Sequence, residues 1–326
     1  MDVSIIIVNY RSWKPLLKCL ESIQSAADTN IVFEVIVLDN FSNDGQFDFY
    51  KNKFKDFIFL KNNINSGYSN GNNLGAKKAK GDYFLFLNPD TIISPDTLKT
   101  LYTTYKKHSE IGILSCLQID QKKRFFKQQK IFPTILLTFG ITRYFYKFLF
   151  KNRLNAIFNT NEELFYPDWV SGSLIFISRD WFTKVNGWND DYWLYFEDVD
   201  ICKRISEKKG KIALTRKTTV FHEHGGSSRN NFESEHICKT EVVISNHVYI
   251  NTNFNTQFKL PSHIFLMFFI LAEKTILSLL SLFLFSNLKL KTNRYILKNL
   301  CFYYLNAMKK RTWLSQRSVN YQKINL

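Results

Sequence analysis

The chain has 326 residues, 45% of them hydrophobic, which is long enough for one large domain or two small ones and too apolar for a disordered chain. Lys and Arg outnumber Asp and Glu by 44 to 28, a formal charge of +16 that suits an anionic partner: nucleic acid, anionic lipid or a phosphorylated small molecule. Cys19, Cys116, Cys202, Cys238 and Cys301 are scattered without a CxxC pair, which argues against a disulfide framework or a thiolate metal site and for structural thiols in reducing surroundings.

The opening MDVSIIIVNY enters a strand-like run at once, with an acid at position 2, so it does not resemble a signal peptide and a cytoplasmic placement is expected. Apolar runs at 3–8, 33–38, 57–60 and 83–87 are short and nearly continuous, the pattern of strands covered on both faces. Helix-like segments alternate with them, at 13–27, with Leu16, Leu17, Leu20 and Ile23 on one face, and at 68–80. The alternation predicts an α/β fold, a doubly wound, mostly parallel sheet flanked by helices, with ligands bound beyond the carboxyl ends of its strands. Three of those ends carry polar groups: Asn9-Tyr10, Asp39-Asn40 and Asn88-Pro89-Asp90. Asn and Asp are also good turn formers; three such ends on one edge read together as a site.

Between the third strand and the next helix, NSGYSNGNNLG (65–75) packs glycines and asparagines where backbone can approach a phosphate-bearing ligand. It matches neither the dinucleotide fingerprint nor the P-loop, and a plain Gly/Asn-rich turn explains it equally well. After residue 118 the chain turns basic and aromatic, and 125–165 is expected to be an insertion facing a membrane or an acceptor. A strand at 173–178, a helix at about 197–209 and short strands IALT and TTVFH follow. Asp190, Asp191, Glu197, Asp198 and Asp200 are interleaved with Trp188, Tyr192, Trp193, Tyr195 and Phe196. Such a mixture forms a platform for sugar rings and can lift a carboxyl pKa toward that of a general base; the same acids equally suit a helix N-terminus. His222 and His224 stand two apart, so in a strand at most one faces a given site.

From about 256 the sequence becomes strongly apolar, interrupted by Glu273 and Lys274, with Ser278 and Ser281 continuing a narrow polar stripe. Adjacent charges at the middle fit a helix lying in a membrane interface better than a spanning one. A spanning segment and a buried helix or dimer contact remain the other two readings. The expected division is 1–255 as the catalytic domain and 256–326 as a C-terminal amphipathic or hydrophobic helical region.

The blocks SIIIVNY (4–10), VLDN (37–40), NSGYSNGNN (65–73), FLFLNPDT (84–91), GSLIFISRDWFTKVNGWND (172–190), YFEDVDICKR (195–204) and HEHGGSS (222–228) resemble, in this order, bacterial family 2 inverting glycosyltransferases of the GT-A fold, in a rhamnosyltransferase-like branch. The resemblance implies a Rossmann-like nucleotide-sugar-binding sheet. It also implies transfer from a nucleotide-diphosphate sugar, dTDP-rhamnose being one candidate, to a hydroxyl of a glycan or polyprenyl-diphosphate-linked acceptor in cell-surface polysaccharide synthesis. A divalent cation, Mg²⁺ or Mn²⁺, would sit on the diphosphate. Carried over by position, Asn9, Tyr10 and Asp39 lie against the nucleotide, and Asn65, Gly67, Asn70, Asn73 and Asn88 shape the donor pocket. Asp90 and His222 hold the metal, Asp90 ending an Asp-x-Asp motif whose first position is here Asn88. Asp198 is the catalytic base, and Trp169, Gly172, Trp188, Asp191 and Glu197 lie on the acceptor side. The chain would then work at the cytoplasmic face of the membrane, on an anionic surface, with a homodimer open. A non-catalytic nucleotide-sugar-binding scaffold is the alternative. The basic residues are spread along the chain without a recognition motif, so no nucleic-acid partner is expected.

Overall fold

A computed structural model describes residues 1–26, 30–126, 131–134, 148–149, 162–223, 232–283 and 288–324. Most of the expected 125–165 insertion, and His224, lie outside the described residues. The chain forms two compact units. The first holds the described residues up to Phe132, 162–189 and 197–223; the second holds the described residues 133–134, 148–149, 190–196 and 232–324. The helix that precedes residue 255 therefore belongs with the C-terminal helices, not with the sheet.

The first unit runs β1 (Val3–Asn9), α1 (Trp13–Ser25), β2 (Phe33–Asp39), α2 (Phe47–Lys53), β3 (Ile58–Lys61), α3 (Gly67–Lys78), β4 (Tyr83–Leu87), β5 (Thr91–Ile92), α4 (Thr97–Lys107), β6 (Ile111–Ile119), β7 (Leu164–Phe165), β8 (Leu174–Ser178), α5 (Arg179–Lys184), α6 (Glu197–Glu207) and β9 (Lys211–His222). One sheet has the order β3-β2-β1-β4-β8-β6-β9-β5, with β7 beside β9. Strands β1 to β4 are parallel, as the alternation predicts. Strand β8 enters antiparallel between β4 and β6, so the far half is mixed. An apolar run encodes burial on both faces, but it carries no direction, and the sequence reading had no signal for this reversal.

The two faces separate along β1 with period 2. Ile5 and Ile7 pack with Leu16, Leu20 and Ile23 of α1, while Ile6 packs with Ala76, Phe84 and Phe86. Helix α3 comes so close that a Cβ at Gly75 would stand 2.5 Å from Ile6 Cγ2. The expected strands IALT and TTVFH are one strand, β9, interrupted by a bulge. Cys116 pairs with Thr215 but Leu117 with Thr219, so Arg216, Lys217 and Thr218 have no counterpart on β6. Bulges re-aim the residues beyond them, and beyond this one lies His222.

The second unit contains α7 (Phe232–Asn253), α8 (Thr256–Phe283), α9 (Leu288–Lys310) and α10 (Val319–Ile324). Val243 and Ile244 of α7 pack against Ile296, Leu300 and Tyr303 of α9, with Met267, Ile270 and Leu271 of α8 beside them. Ser281 accepts a hydrogen bond from Arg294 Nε at 2.6 Å and is buried. Ser281 of the polar stripe thus turns toward α9, while Phe258, Ile264, Phe265, Phe268 and Leu279 are exposed. Among the described residues, α8 is one helix long and apolar enough to cross a membrane.

Candidate active site

The parallel register sets Asn9 beside Asp39 at the ends of β1 and β2. Asn9 Nδ2 lies 3.4 Å from Asp39 Oδ1, and Asp39 also accepts from the Ser42 hydroxyl and, at 3.3 Å, from Ser42 N–H. Burial pushes the Asp39 carboxyl up from its ordinary value, and these hydrogen bonds oppose the push. Just beyond the two strands, Tyr10 and Phe41 are exposed aromatic rings. Arg11 sits with its guanidinium 5.4 Å from the Tyr10 ring and its Nε donating to Ser42 O. The sequence pattern points to Tyr10 but not to Phe41 or Arg11; both are non-glycine residues with positive φ, 67° and 51°. In the sequence Asn40 is only a strand end. It ties the glycine-rich turn together, donating to Asn65 Oδ1 at 3.1 Å and Gly67 O at 3.0 Å while accepting from Asn62. Gly67 has φ +85°, a conformation that favours glycine. Asn70 is half-buried on α3.

At the end of β4 the chain turns through Asn88 and Asp90 into β5, where Thr91 pairs with His222 of β9. This short antiparallel pair brings Asp90 Oδ1 to 3.4 Å from His222 Nε2, both side chains nearly fully buried. The other ring nitrogen, His222 Nδ1, is 3.1 Å from Gln118 Oε1 on β6. Asn88 donates its N–H to Ser173 O at 2.9 Å, and its Oδ1 is buried without a hydrogen-bond partner. Among the described residues no cluster of three or more His, Cys, Asp and Glu could hold a metal ion. Asp90 and His222 form a close pair.

Asp198 lies in the first turn of α6, half-buried. Its Oδ2 accepts from Gly172 N–H at 3.0 Å and its Oδ1 from Val199 N–H at 2.9 Å. Tyr68 of α3 donates to the carbonyl of the same Gly172 at 2.6 Å, so both the N–H and the C=O of this residue are held. Tyr68 carries no charge signature and sits in the middle of a polar run; only its contact with Gly172 reveals it. Glu197, next to Asp198, is 6% exposed, and its Oε2 has no partner. Burial first, and then the Asp198 charge, push its carboxyl well above the usual range. The two adjacent acids are therefore different groups. The turn before them is strained, with Tyr195 and Phe196 both at positive φ.

Other sequence expectations are redirected. Trp188 is 2% exposed and packs edge-on against Phe86 and Tyr68, so it is a core residue and not an acceptor-facing platform. Asn73 is not turned to a ligand pocket: it brackets the Trp188 backbone, donating to its carbonyl at 2.8 Å and accepting from its N–H at 3.0 Å. Trp169 is half-buried with its Nε1 donating to Ile131 O. Asp191 belongs to the second unit, where it accepts from Asn320 Nδ2 at 2.8 Å.

Residues 4–168, more than half of the chain, match the family model described as glycosyl transferase family 2, and residues 152–224 match one described as N-terminal domain of galactosyltransferase. Low-salt glycan biosynthesis hexosyltransferase Agl10 of Haloferax volcanii is 25% identical over 227 residues, 68% of this chain and 67% of that protein. Rhamnosyltransferase WbbL of Escherichia coli is 30% identical over 152 residues, 43% of this chain and 54% of that protein. N-acetylglucosaminyl-diphospho-decaprenol L-rhamnosyltransferase of Mycobacterium tuberculosis is 22% identical over 240 residues, 69% and 76% of the two chains. Among solved structures, residues 1–349 of S. aureus TarS align over 96% of this chain and 92% of that one, with a TM-score of 0.51 at 15% identity. GalNAc-T7, solved with UDP, GalNAc and Mn²⁺, covers 77% of this chain and 51% of its own, with a TM-score of 0.53 at 16% identity. These structures share the fold. With the polar strand ends gathered on one edge of the sheet, the matches make one conclusion: the chain belongs to glycosyltransferase family 2 and has the GT-A fold.

Proposed function

We propose that this glycosyltransferase transfers a sugar, with inversion, from a nucleotide-diphosphate donor to a hydroxyl of a glycan or polyprenyl-diphosphate-linked acceptor in cell-surface polysaccharide synthesis, with Asp198 as the base. The observation that carries the reading is the placing of Asp198. Two backbone N–H groups, from Gly172 and from Val199 in the first turn of α6, hold its two oxygens and fix its direction. The acceptor oxygen forms a bond to the anomeric carbon as the bond from that carbon to the diphosphate oxygen breaks. The hydroxyl proton passes to Asp198, and the bonding pair leaves with the nucleoside diphosphate.

The donor's nucleotide would lie over Asn9, Tyr10 and Asp39, with the Asn65–Gly67 turn beside it. Asp90 and His222 offer one oxygen and one nitrogen ligand to a divalent cation, and the orphaned Asn88 Oδ1 adds a further oxygen. Diphosphate oxygens can complete such a set, and the imidazole nitrogen suits Mn²⁺ better than Mg²⁺. Bound there, a cation offsets the charge that develops on the leaving diphosphate. The rhamnosyltransferases among the relatives support a deoxyhexose donor such as dTDP-rhamnose. The exposed apolar face of α8 supports a placement at the membrane surface, on the cytoplasmic side, where a lipid-linked acceptor would be met.

The test is nucleoside diphosphate release across a panel of nucleotide sugars, with and without Mn²⁺, on acceptor lipid. Asp198→Asn is expected to lower the rate by at least about 100-fold while donor binding is kept. Equal rates would remove Asp198 from its role. Binding of a donor with no turnover in any combination would favour a non-catalytic scaffold.

A further inference from the structure

We propose that Gln118 is a positioning residue for the donor-diphosphate cation: it holds His222 in the Nδ1–H tautomer, so that Nε2 presents its lone pair beside Asp90. The inference rests on the reading of Asp90 and His222 as the cation pair, and it adds what makes that pair competent. Gln118 lies on β6 opposite Val220 of β9, and His222 is the next residue of β9 on the same face. The bulge at Arg216–Thr218 sets this register. Gln118 is 4% exposed, and its Oε1 is approached from two sides, by His222 Nδ1 at 3.1 Å and by Ser173 Oγ at 3.0 Å.

A neutral imidazole has one N–H to give. Given to Gln118 Oε1, it leaves Nε2 as an acceptor 3.4 Å from a second acceptor, Asp90 Oδ1. A cation between them would take one lone pair from each, and a partner on the far nitrogen is what orients a metal-ligating histidine. Phe126 packs on the His222 ring at 5.9 Å and donates its N–H to Gln118 O at 3.0 Å, which fastens the same corner. Ser173 also receives Asn88 N–H on its carbonyl. The Gln118–Ser173 contact therefore joins His222 to the turn that carries Asp90. Glutamine gave no signal in the sequence, because its role exists only across three strands.

The tautomer can be read directly by two-bond ¹H–¹⁵N correlation of the metal-free protein, with His222→Gln assigning the signal. The wild type is expected to show a protonated Nδ1 and an unprotonated Nε2. Gln118→Met, which removes the acceptor at similar volume, should move the proton to Nε2 and weaken Mn²⁺ binding, followed by electron paramagnetic resonance, by about 10- to 100-fold. Gln118→Glu, which restores an acceptor, should keep the Nδ1–H tautomer and most of the affinity, and it serves as the readout if Gln118→Met does not fold. A protonated Nε2 in the wild type would overturn the proposal, since His222 would then donate to Asp90. So would unchanged Mn²⁺ affinity in a folded Gln118→Met. If Asp90→Ala leaves Mn²⁺ binding intact, the cation reading itself fails, a result separate from the tautomer.

Discussion

Two neighbouring carboxylates show how far residue chemistry depends on position. Glu197 and Asp198 are interchangeable in a sequence, yet only Asp198 receives backbone donors on both oxygens, while Glu197 is buried with an orphaned oxygen. Burial favours the neutral form of Glu197, so its folded pKa lies above the unfolded value of about 4.3. For a raised carboxyl the folded state holds the extra proton. Its favourable contribution is complete below the unfolded pKa and is lost as pH rises through the folded pKa. Glu197→Gln, which cannot ionise, should therefore gain in melting temperature relative to wild type as pH is raised from about 4 to 8. A constant difference across that range would show that Glu197 is not perturbed. The sequence displayed the acids, aromatics and asparagines of the site but not which of them face inward. Trp188 and Asn73 carry the residue types of a sugar platform and a polar pocket, and both are spent on holding one loop. That loop's needs are set by packing, which leaves no local signature.

At the scale of elements, the same loop is clamped from the other side by α6. Arg204 donates to the carbonyls of Val185 and, at 2.8 Å, Gly187, while its Nε pairs with the fully buried Asp200 at 2.7 Å. Removing the guanidinium takes its cation from a buried carboxylate and frees two carbonyls. Arg204→Ala should thus cost about 3–5 kcal/mol in chemical denaturation. Arg204→Ala with Asp200→Ala should cost less than the two single changes added, because the second removes the stranded charge. Simple additivity would mean that the pair is not coupled. Periodicity alone located β1 to β4, α1 and α3, since each is a full run with one pattern. It did not reveal that β8 runs backward or that β9 is continuous through its bulge, because direction and register reside in pairings between distant segments.

At the scale of the whole molecule, the charge of +16 and the outward apolar face of α8 suit the same partner, an anionic membrane. Cutting the chain at 256 would be a poor test, because Val243 and Ile244 of α7 pack against Ile296 and Leu300 of α9, and the cut would expose them. Substitution on the exposed face is cleaner. Phe265 and Phe268 are 52% and 66% exposed, so charging them should leave the helix packing intact. Burial of each ring in lipid is worth up to about 1.5–3 kcal/mol. Phe265→Asp with Phe268→Asp is therefore expected to weaken co-sedimentation with anionic vesicles by about 100-fold or more, with the melting temperature unchanged. Binding of the wild type should also fall as salt screens Lys309, Lys310 and Arg311, which are exposed at the end of α9. If the double substitution left vesicle binding untouched but converted a dimer to a monomer in sedimentation velocity, the face would be a contact between copies of this chain. The membrane placement would then be lost, while the assignments of Asp198 and Asp90, which rest on the first unit alone, would stand.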